Sequence, residues 1–237
     1  MSVNSNVISR GADRGLYSWA ALAAIAIVFA GFARTFYLRA SFGSPPLSTL
    51  LHVHGFLMST WFAFFLMQVR LVAMRRTDLH RRTGVFGALL ALTVLLVGVT
   101  TAITAARLGH TPGPPPLVFL VIPLGDLLVF ALLVSAGLYF RGRSDVHKRL
   151  MLLSCLGILT AAIARIPIDF LQAGGLPMFF GATDLIVLSI VAYDTYKHRR
   201  LHPAFGWGML LIVASQPLRL VLSGTSAWHQ FASWLVS

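Results

Sequence analysis

Seven stretches of about 20 mostly apolar residues follow one another along the chain, each long enough to cross the hydrocarbon layer of a bilayer as a helix. They run over roughly 17–37, 48–73, 84–106, 117–140, 149–167, 178–196 and 205–224. Between them lie short polar or basic loops. The pattern predicts an all-α membrane protein, a seven-transmembrane-helix bundle over 17–224, built as one helix plus three helical hairpins. Residues 1–16 are polar and read as a flexible cytoplasmic N-terminus. Residues 225–237 read as an interfacial C-terminal segment, with Trp228 and Trp234 at headgroup level. Arg10 and Arg14 before the first run resemble the start of a signal peptide, but the run is too long and ends in Arg34 rather than a small-residue cleavage site. It is expected to be a retained helix.

Composition agrees with the pattern. Hydrophobic residues make up 57% of the 237 and charged residues 11%, and the mean hydropathy is +0.79. Soluble domains carry about a quarter charged residues, so lipid is expected to replace water over most of the surface. The formal net charge is +12, and its distribution sets the orientation. Arg10 and Arg14 precede the first span. Arg75, Arg76, Arg81 and Arg82 fill the second loop, Arg141, Arg143, Lys148 and Arg149 the fourth, and Lys197, Arg199 and Arg200 the sixth. The other side and its flanks hold only Arg34, Arg39, Arg107, Arg165 and Arg219, while Arg70 lies inside the second span. By the positive-inside rule the N-terminus is cytoplasmic and the C-terminus outside. The charge therefore points to anionic lipids on the cytoplasmic face as partners, at about 1 kcal/mol per cation near the surface, and not to nucleic acid. The single Cys155 excludes an intramolecular disulfide and reads as a small buried hydrophobe.

A loop signature repeats. Asp78-Leu79-His80-Arg81-Arg82 precedes the third span, Asp145-Val146-His147-Lys148-Arg149 the fifth, and His198-Arg199-Arg200-Leu201-His202 the seventh. Asp78 and Asp145 are expected to cap the helices that follow, and the cations to anchor them. Neither role explains the histidines. His80, His147, His198 and His202 are therefore candidate cofactor ligands, for haem b or a transition metal, against the plainer reading of interfacial, hydrogen-bonded imidazoles.

Ionisable groups inside a membrane are costly and mark candidate sites. At 1.5 Å per residue, His54, Asp126, Asp184 and Arg219 lie about 8–13 Å below the outer ends of four different spans. Arg165 and Asp169 flank Pro167 nearer the surface, and Arg34 closes the first span on the same side. Asp126 and Asp184 are expected to pair with Arg219, Arg165 or His54. Such a layer serves either as a proton-handling or quinone site, or as a staple between helices. His54, Trp61 and Gln68 recur every seven residues with Met58 and Phe65 between them, one stripe facing the bundle. His52 points roughly 160° away from His54 on a regular helix, so His54 is the better metal candidate of the two. Gln216, Arg219 and Ser223 share a face of the seventh span, with Pro217 beside them and Pro123 near Asp126. The polar-cavity set is thus His54, Trp61, Gln68, Asp126, Arg165, Asp184, Gln216 and Arg219.

Several classes are excluded. Both lysines, Lys148 and Lys197, lie at cytoplasmic helix ends, so a retinal Schiff base has no place. The chain has no P-loop, Gly-x-Ser-x-Gly or CxxCH, and no Glu at all, which removes Glu-based di-iron and HExxH sites. Matched Gly-rich broken helices are not evident.

The run His54-Gly55, Trp61, Gln68, Arg70 and Leu79-His80-Arg81-Arg82-Thr83-Gly84 resembles an uncharacterised family of bacterial multi-spanning membrane proteins. These carry a His near one helix start and an H-R-x-x-G turn at the next. His147-Lys148-Arg149-Leu150-Met151 is similar to a motif of small membrane proteins linked to haem–copper oxidase assembly. Together these likenesses cover about a third of the chain. They imply a bacterial inner-membrane protein with helix-start histidines and a respiratory link, and supply no established catalytic residues to carry over. Three functions remain open: a redox-associated protein binding haem, metal or quinone; a non-catalytic subunit or assembly scaffold alongside other membrane subunits; and a proton-coupled transporter of a small molecule or lipid.

Overall fold

The computed structural model describes residues 3–237, with side chains from Gly15 onward. Among the described residues the regular structure is helical throughout, and seven helices are long and apolar enough to cross a membrane. This is the architecture of a multi-pass membrane protein.

Helix α1 runs Val3–Phe32 and loosens into a π-helical turn, Ala33–Tyr37, and a 3-10 turn, Arg39–Phe42. Helical backbone thus reaches back into the 1–16 segment, whose side chains before Gly15 lie outside the described residues. Helix α2 spans Thr49–Ala73, and Ser48 caps it by accepting from the Leu51 N–H at 3.3 Å. Helix α3 spans Thr77–Arg107 and α4 spans Pro116–Tyr139, with proline at its first position, where its missing N–H does no harm. The fifth span is broken. Helix α5 covers Ser144–Leu156 and a separate turn, α6, covers Thr160–Ile163. Helix α7 runs Asp169–His198 with a kink at Gly175 (φ 56, ψ −147), two residues before Pro177. Helix α8 spans Pro203–Ser223, and α9 spans Ser226–Val236 with Thr225 as its cap.

Two local expectations are corrected. Asp78 and Asp145 are not caps: α3 and α5 start earlier, after Arg76 and Arg143, which supply no side-chain cap bond. The two acids instead occupy first turns, where the helix dipole favours them. Trp228 does not sit at the surface with Trp234. It is buried, and its indole N–H donates to the Leu117 carbonyl at 2.8 Å, while Trp234 is exposed.

Helix α5 is the centre of the molecule. Its Val146, Leu150, Leu152, Leu153, Cys155 and Leu156 are buried on all sides, as expected of a helix surrounded by others. Phe205 and Ile212 of α8, Phe130 and Leu133 of α4, and the small face of α1 (Ala20, Ala21, Ala24) close around it in one large core. Small residues let helix backbones approach closely. At Gly31 a Cβ would meet the Ala162 carbonyl oxygen at 2.1 Å, so only glycine permits that crossing. The outer surface is apolar, with Trp19, Phe56, Phe86, Leu96, Leu128, Trp207 and Val221 exposed, as contact with lipid requires.

Side-chain contacts define two polar levels. The starts of α3, α5 and α8 meet the end of α7 at the end of the bundle bearing the basic loops. The middle of α4 and of α7 meets the last third of α8 towards the opposite end.

Candidate functional site

At the basic end, the structure packs His80 of α3 and His147 of α5 edge to face, ring centroids 6.1 Å apart and planes at 75°. His147 Nδ1 lies 2.8 Å from the Gly137 carbonyl oxygen. A carbonyl only accepts, so Nδ1 carries the proton and the Nε2 lone pair is left open, the arrangement that orients metal-binding histidines. His80 Nδ1 is buried and has no hydrogen-bond partner. The Gln68 backbone of α2 contacts the His80 ring, and the Gln68 side chain donates through Nε2 to Thr83 Oγ1 at 2.7 Å. Gln68 Oε1 is likewise buried without a partner. Unmet buried polar atoms are uncommon and call for an explanation. Two of them flank this histidine pair. Among the described residues no three His, Cys, Asp or Glu side chains gather as a metal cage, so the pair offers two imidazoles and an amide oxygen.

The other two candidate histidines do not join them. His202 is the N-cap of α8: its Nδ1 accepts from the Ala204 N–H at 3.2 Å, and its Nε2 lies 3.1 Å from Asp145 Oδ2. Both ring nitrogens are engaged, which leaves no lone pair for a metal. His198 Nδ1 faces the Asp194 carbonyl oxygen at 2.8 Å. Of the four candidate histidines, His80 and His147 pack together, His202 caps a helix, and His198 bonds the backbone of its own helix.

Between them lies a buried ion pair that sequence reasoning missed. Arg149 Nε and Nη2 grip both oxygens of Asp194 at 2.8–3.1 Å, and its Nη1 donates to the Asp145 carbonyl at 2.9 Å. Every guanidinium nitrogen is satisfied, with the Phe205 ring beneath it at 5.5 Å. Arg149 looked like an interfacial anchor. Asp194 was hidden by the basic run just after it, although an acid one turn inside a span, level with the fifth span's first arginine, was the available clue.

At the opposite level, Arg219 Nη1 pairs with Asp126 Oδ1 across α8 and α4, and its Nη2 donates to Ser215 Oγ at 2.8 Å. The Phe180 ring lies 5.8 Å away. Gly125 makes room, since a Cβ there would come within 2.3 Å of Arg219 Nε. That Nε is buried with no partner. Among the described residues Asp184 is held by Gln216, Nε2 to Oδ1 at 2.7 Å. The ion pairs expected of Arg165 or His54 with Asp126 or Asp184 are absent among the described residues; Arg165 lies instead within electrostatic reach of His54. Arg165 is exposed, donating to the Ala161 carbonyl and lying over Phe32 at 4.8 Å. Arg34 lies over Phe42. His54 is half-buried and makes no hydrogen bond among the described residues, and no group of three or more His, Cys, Asp or Glu gathers around it. Trp61 is buried edge-on against Phe130 at 5.0 Å and belongs to the main core. Gln68, from the same stripe, serves the histidine pair.

No family model, curated protein or solved structure gives a significant match to this chain.

Proposed function

We propose that the protein is a metal-binding, multi-pass protein of the bacterial inner membrane, with its N-terminus cytoplasmic and its C-terminus outside, holding one transition-metal ion between His80 and His147. The observation that carries this reading is a buried His80 Nδ1 without a hydrogen-bond partner, on a ring packed against a histidine whose Nδ1 is fixed by a carbonyl. Two imidazoles sharing an ion through bonds of about 2 Å hold their centroids about 6 Å apart, close to the spacing seen. Gln68 Oε1 supplies a third donor. A haem iron takes the same two axial nitrogens, but its macrocycle also needs a slot between α3 and α5. Imidazole suits zinc, copper, iron or nickel. The redox and respiratory link rests on the resemblance of the His147–Met151 motif, and the orientation on the basic loops.

The test is an absorption spectrum of detergent-purified protein, air-oxidised and then dithionite-reduced, with elemental analysis of the same sample. The expected result is about one ion per chain, lost in His80→Ala and His147→Ala and retained in His202→Ala. A Soret band shifting on reduction would replace the ion with haem. Colourless, metal-free protein would overturn the reading and leave the scaffold function. A second reading, proton-coupled transport or a quinone site at the opposite level, is favoured by the unpartnered Arg219 Nε on an arginine paired with Asp126, with Asp184 held on the same helix by Gln216. Flux in vesicles that survives Asp126→Asn would remove the transport form of it.

A further inference from the structure

Arg70 lies one turn inside the end of α2, about 5 Å along the axis from Ala73. Arg149, Arg165 and Arg219, the arginines of the later spans, all have hydrogen-bond partners. Arg70 is exposed, and among the described residues it makes no hydrogen bond, ion pair or ring contact. Its side chain lines a groove of about 350 Å³ between α1 and α2, with Ala73 beside it and Gly15, Ser18, Trp19 and Leu22 as the opposite wall. Those four wall residues follow the i, i+3, i+4, i+7 spacing of one helix face. The hollow is kept open by small residues, and a Cβ added at Gly15 would meet nothing within 4 Å. No carboxylate lines the groove among the described residues. Asp13, just before it in sequence, stands between Arg10 and Arg14, so that stretch adds net positive charge.

We infer that this groove binds one anionic phospholipid, its phosphate on Arg70 and its glycerol and upper acyl chain over Trp19 and Leu22. Charge selects the headgroup. A guanidinium matches phosphate oxygens in a bidentate fork, and the cation of a zwitterionic headgroup would find no acid in the groove to receive it. The walls select a lipid over a free ion. Trp19 is 73% exposed near the start of its span, the level at which indoles favour the membrane interface. Leu22 is exposed almost one turn deeper. Both offer apolar surface that glycerol and chain can cover and inorganic phosphate cannot. Basic pockets between membrane helices on the cytoplasmic side hold lipid headgroups in this way. The choice of leaflet rests on the proposed orientation; the groove does not. It is also separate from the histidine pair, because Gln68 lies roughly 160° round α2 from Arg70.

The test titrates dioleoylphosphatidylglycerol or dioleoylphosphatidylcholine into the full-length, detergent-purified protein and counts bound lipid by native mass spectrometry. The expected result is one phosphatidylglycerol per chain at concentrations where phosphatidylcholine does not bind, undisturbed by sodium phosphate. Arg70→Gln should weaken the apparent affinity about tenfold, as the loss of a hydrogen bond between charged groups does. Gly15→Leu keeps every charge and fills the groove from a position with free space, so it should weaken binding comparably. Arg82→Gln removes an exposed cation at the same end but outside the groove, and should change the affinity less than about twofold. Neither Arg70 nor Arg82 is buried, so both variants keep the core intact. Equal effects of Arg70→Gln and Arg82→Gln would reduce the binding to general surface attraction and overturn the proposal. An unchanged affinity in Gly15→Leu would place the lipid elsewhere and overturn it too. So would equal binding of the two lipids, or displacement of phosphatidylglycerol by sodium phosphate.

Discussion

The two buried ion pairs have the same composition and opposite finish. Arg149–Asp194 is bidentate, with both side chains at most 4% exposed and all three guanidinium nitrogens used. Arg219–Asp126 is held through one nitrogen, with Asp126 14% exposed and Nε of the arginine orphaned. The first sits in the main core, on the central helix α5. The second lies beside a smaller cluster that α9 helps to close, next to Pro123, Pro217 and Gly125. A buried charge pair stabilises little unless its remaining hydrogen bonds are met, and its loss is severe when they are. The contrast therefore separates a staple that fixes helix register from a pair left with room to change partners.

The sharpest way to break the comparison is Asp194→Asn. It leaves a cation in the core facing a neutral amide, and breaking such a pair costs about 3–5 kcal/mol. The expected outcome is a large fall in unfolding free energy and in monodisperse yield from detergent. Arg149→Met combined with Asp194→Leu should recover most of the loss, because apolar residues of similar volume replace buried pairs well. Failure of that rescue would mean that the pair does more than staple.

Asp126→Asn comes next. Arg219 keeps Ser215 and the Phe180 face, and Asp126 is partly open, so the expected loss is about 1–3 kcal/mol. Denaturant titration of both variants side by side decides the matter. If Asp126→Asn proves as damaging as Asp194→Asn, the opposite level is as structural as the basic end, and the second functional reading loses its support.

The reason one pair was legible in the sequence and the other was not is physical. Asp126 and Arg219 stand alone among apolar neighbours, and similar depth made Arg219 one of three expected partners of the acid, beside Arg165 and His54. Asp194 stands one turn from Lys197, Arg199 and Arg200, where a surface role reads just as well. The seven spans followed from hydropathy alone, because twenty apolar residues have few alternatives in water or lipid. The break after Leu156 did not, since Leu-Gly-Ile-Leu continues the apolar run without a punctuating proline. Nor could sequence show that His80 packs against His147 while His202 turns to cap α8. That depends on the rotation of each helix about its axis, which is set by packing on α5. The two misplaced caps share a cause: both acids lie two residues inside helices whose starts are blurred by arginines.

The smallest effect tests whether the two levels are mechanically separate. Trp228 closes the opposite end of the bundle by donating to the Leu117 carbonyl at the start of α4. Its neighbours in that cluster include Ala102, Ala106, Ile122, Phe180 and Ala232. Ile122 and Phe180 are also neighbours of Arg219, through a carbonyl 3.5 Å from Nη1 and a ring face. Trp228→Phe keeps the aromatic bulk but removes the N–H, leaving the carbonyl unmet, and should cost about 1 kcal/mol. The location of the effect matters more than its size. Hydrogen exchange should quicken in α9 and at the start of α4, where the lost bond joined two helices, and stay unchanged in α5 around Arg149. A perturbation that spread equally to α5 would show that the small cluster and the main core unfold as one unit. The looseness around Arg219 would then be a property of its own hydrogen bonds, not of the region that holds it.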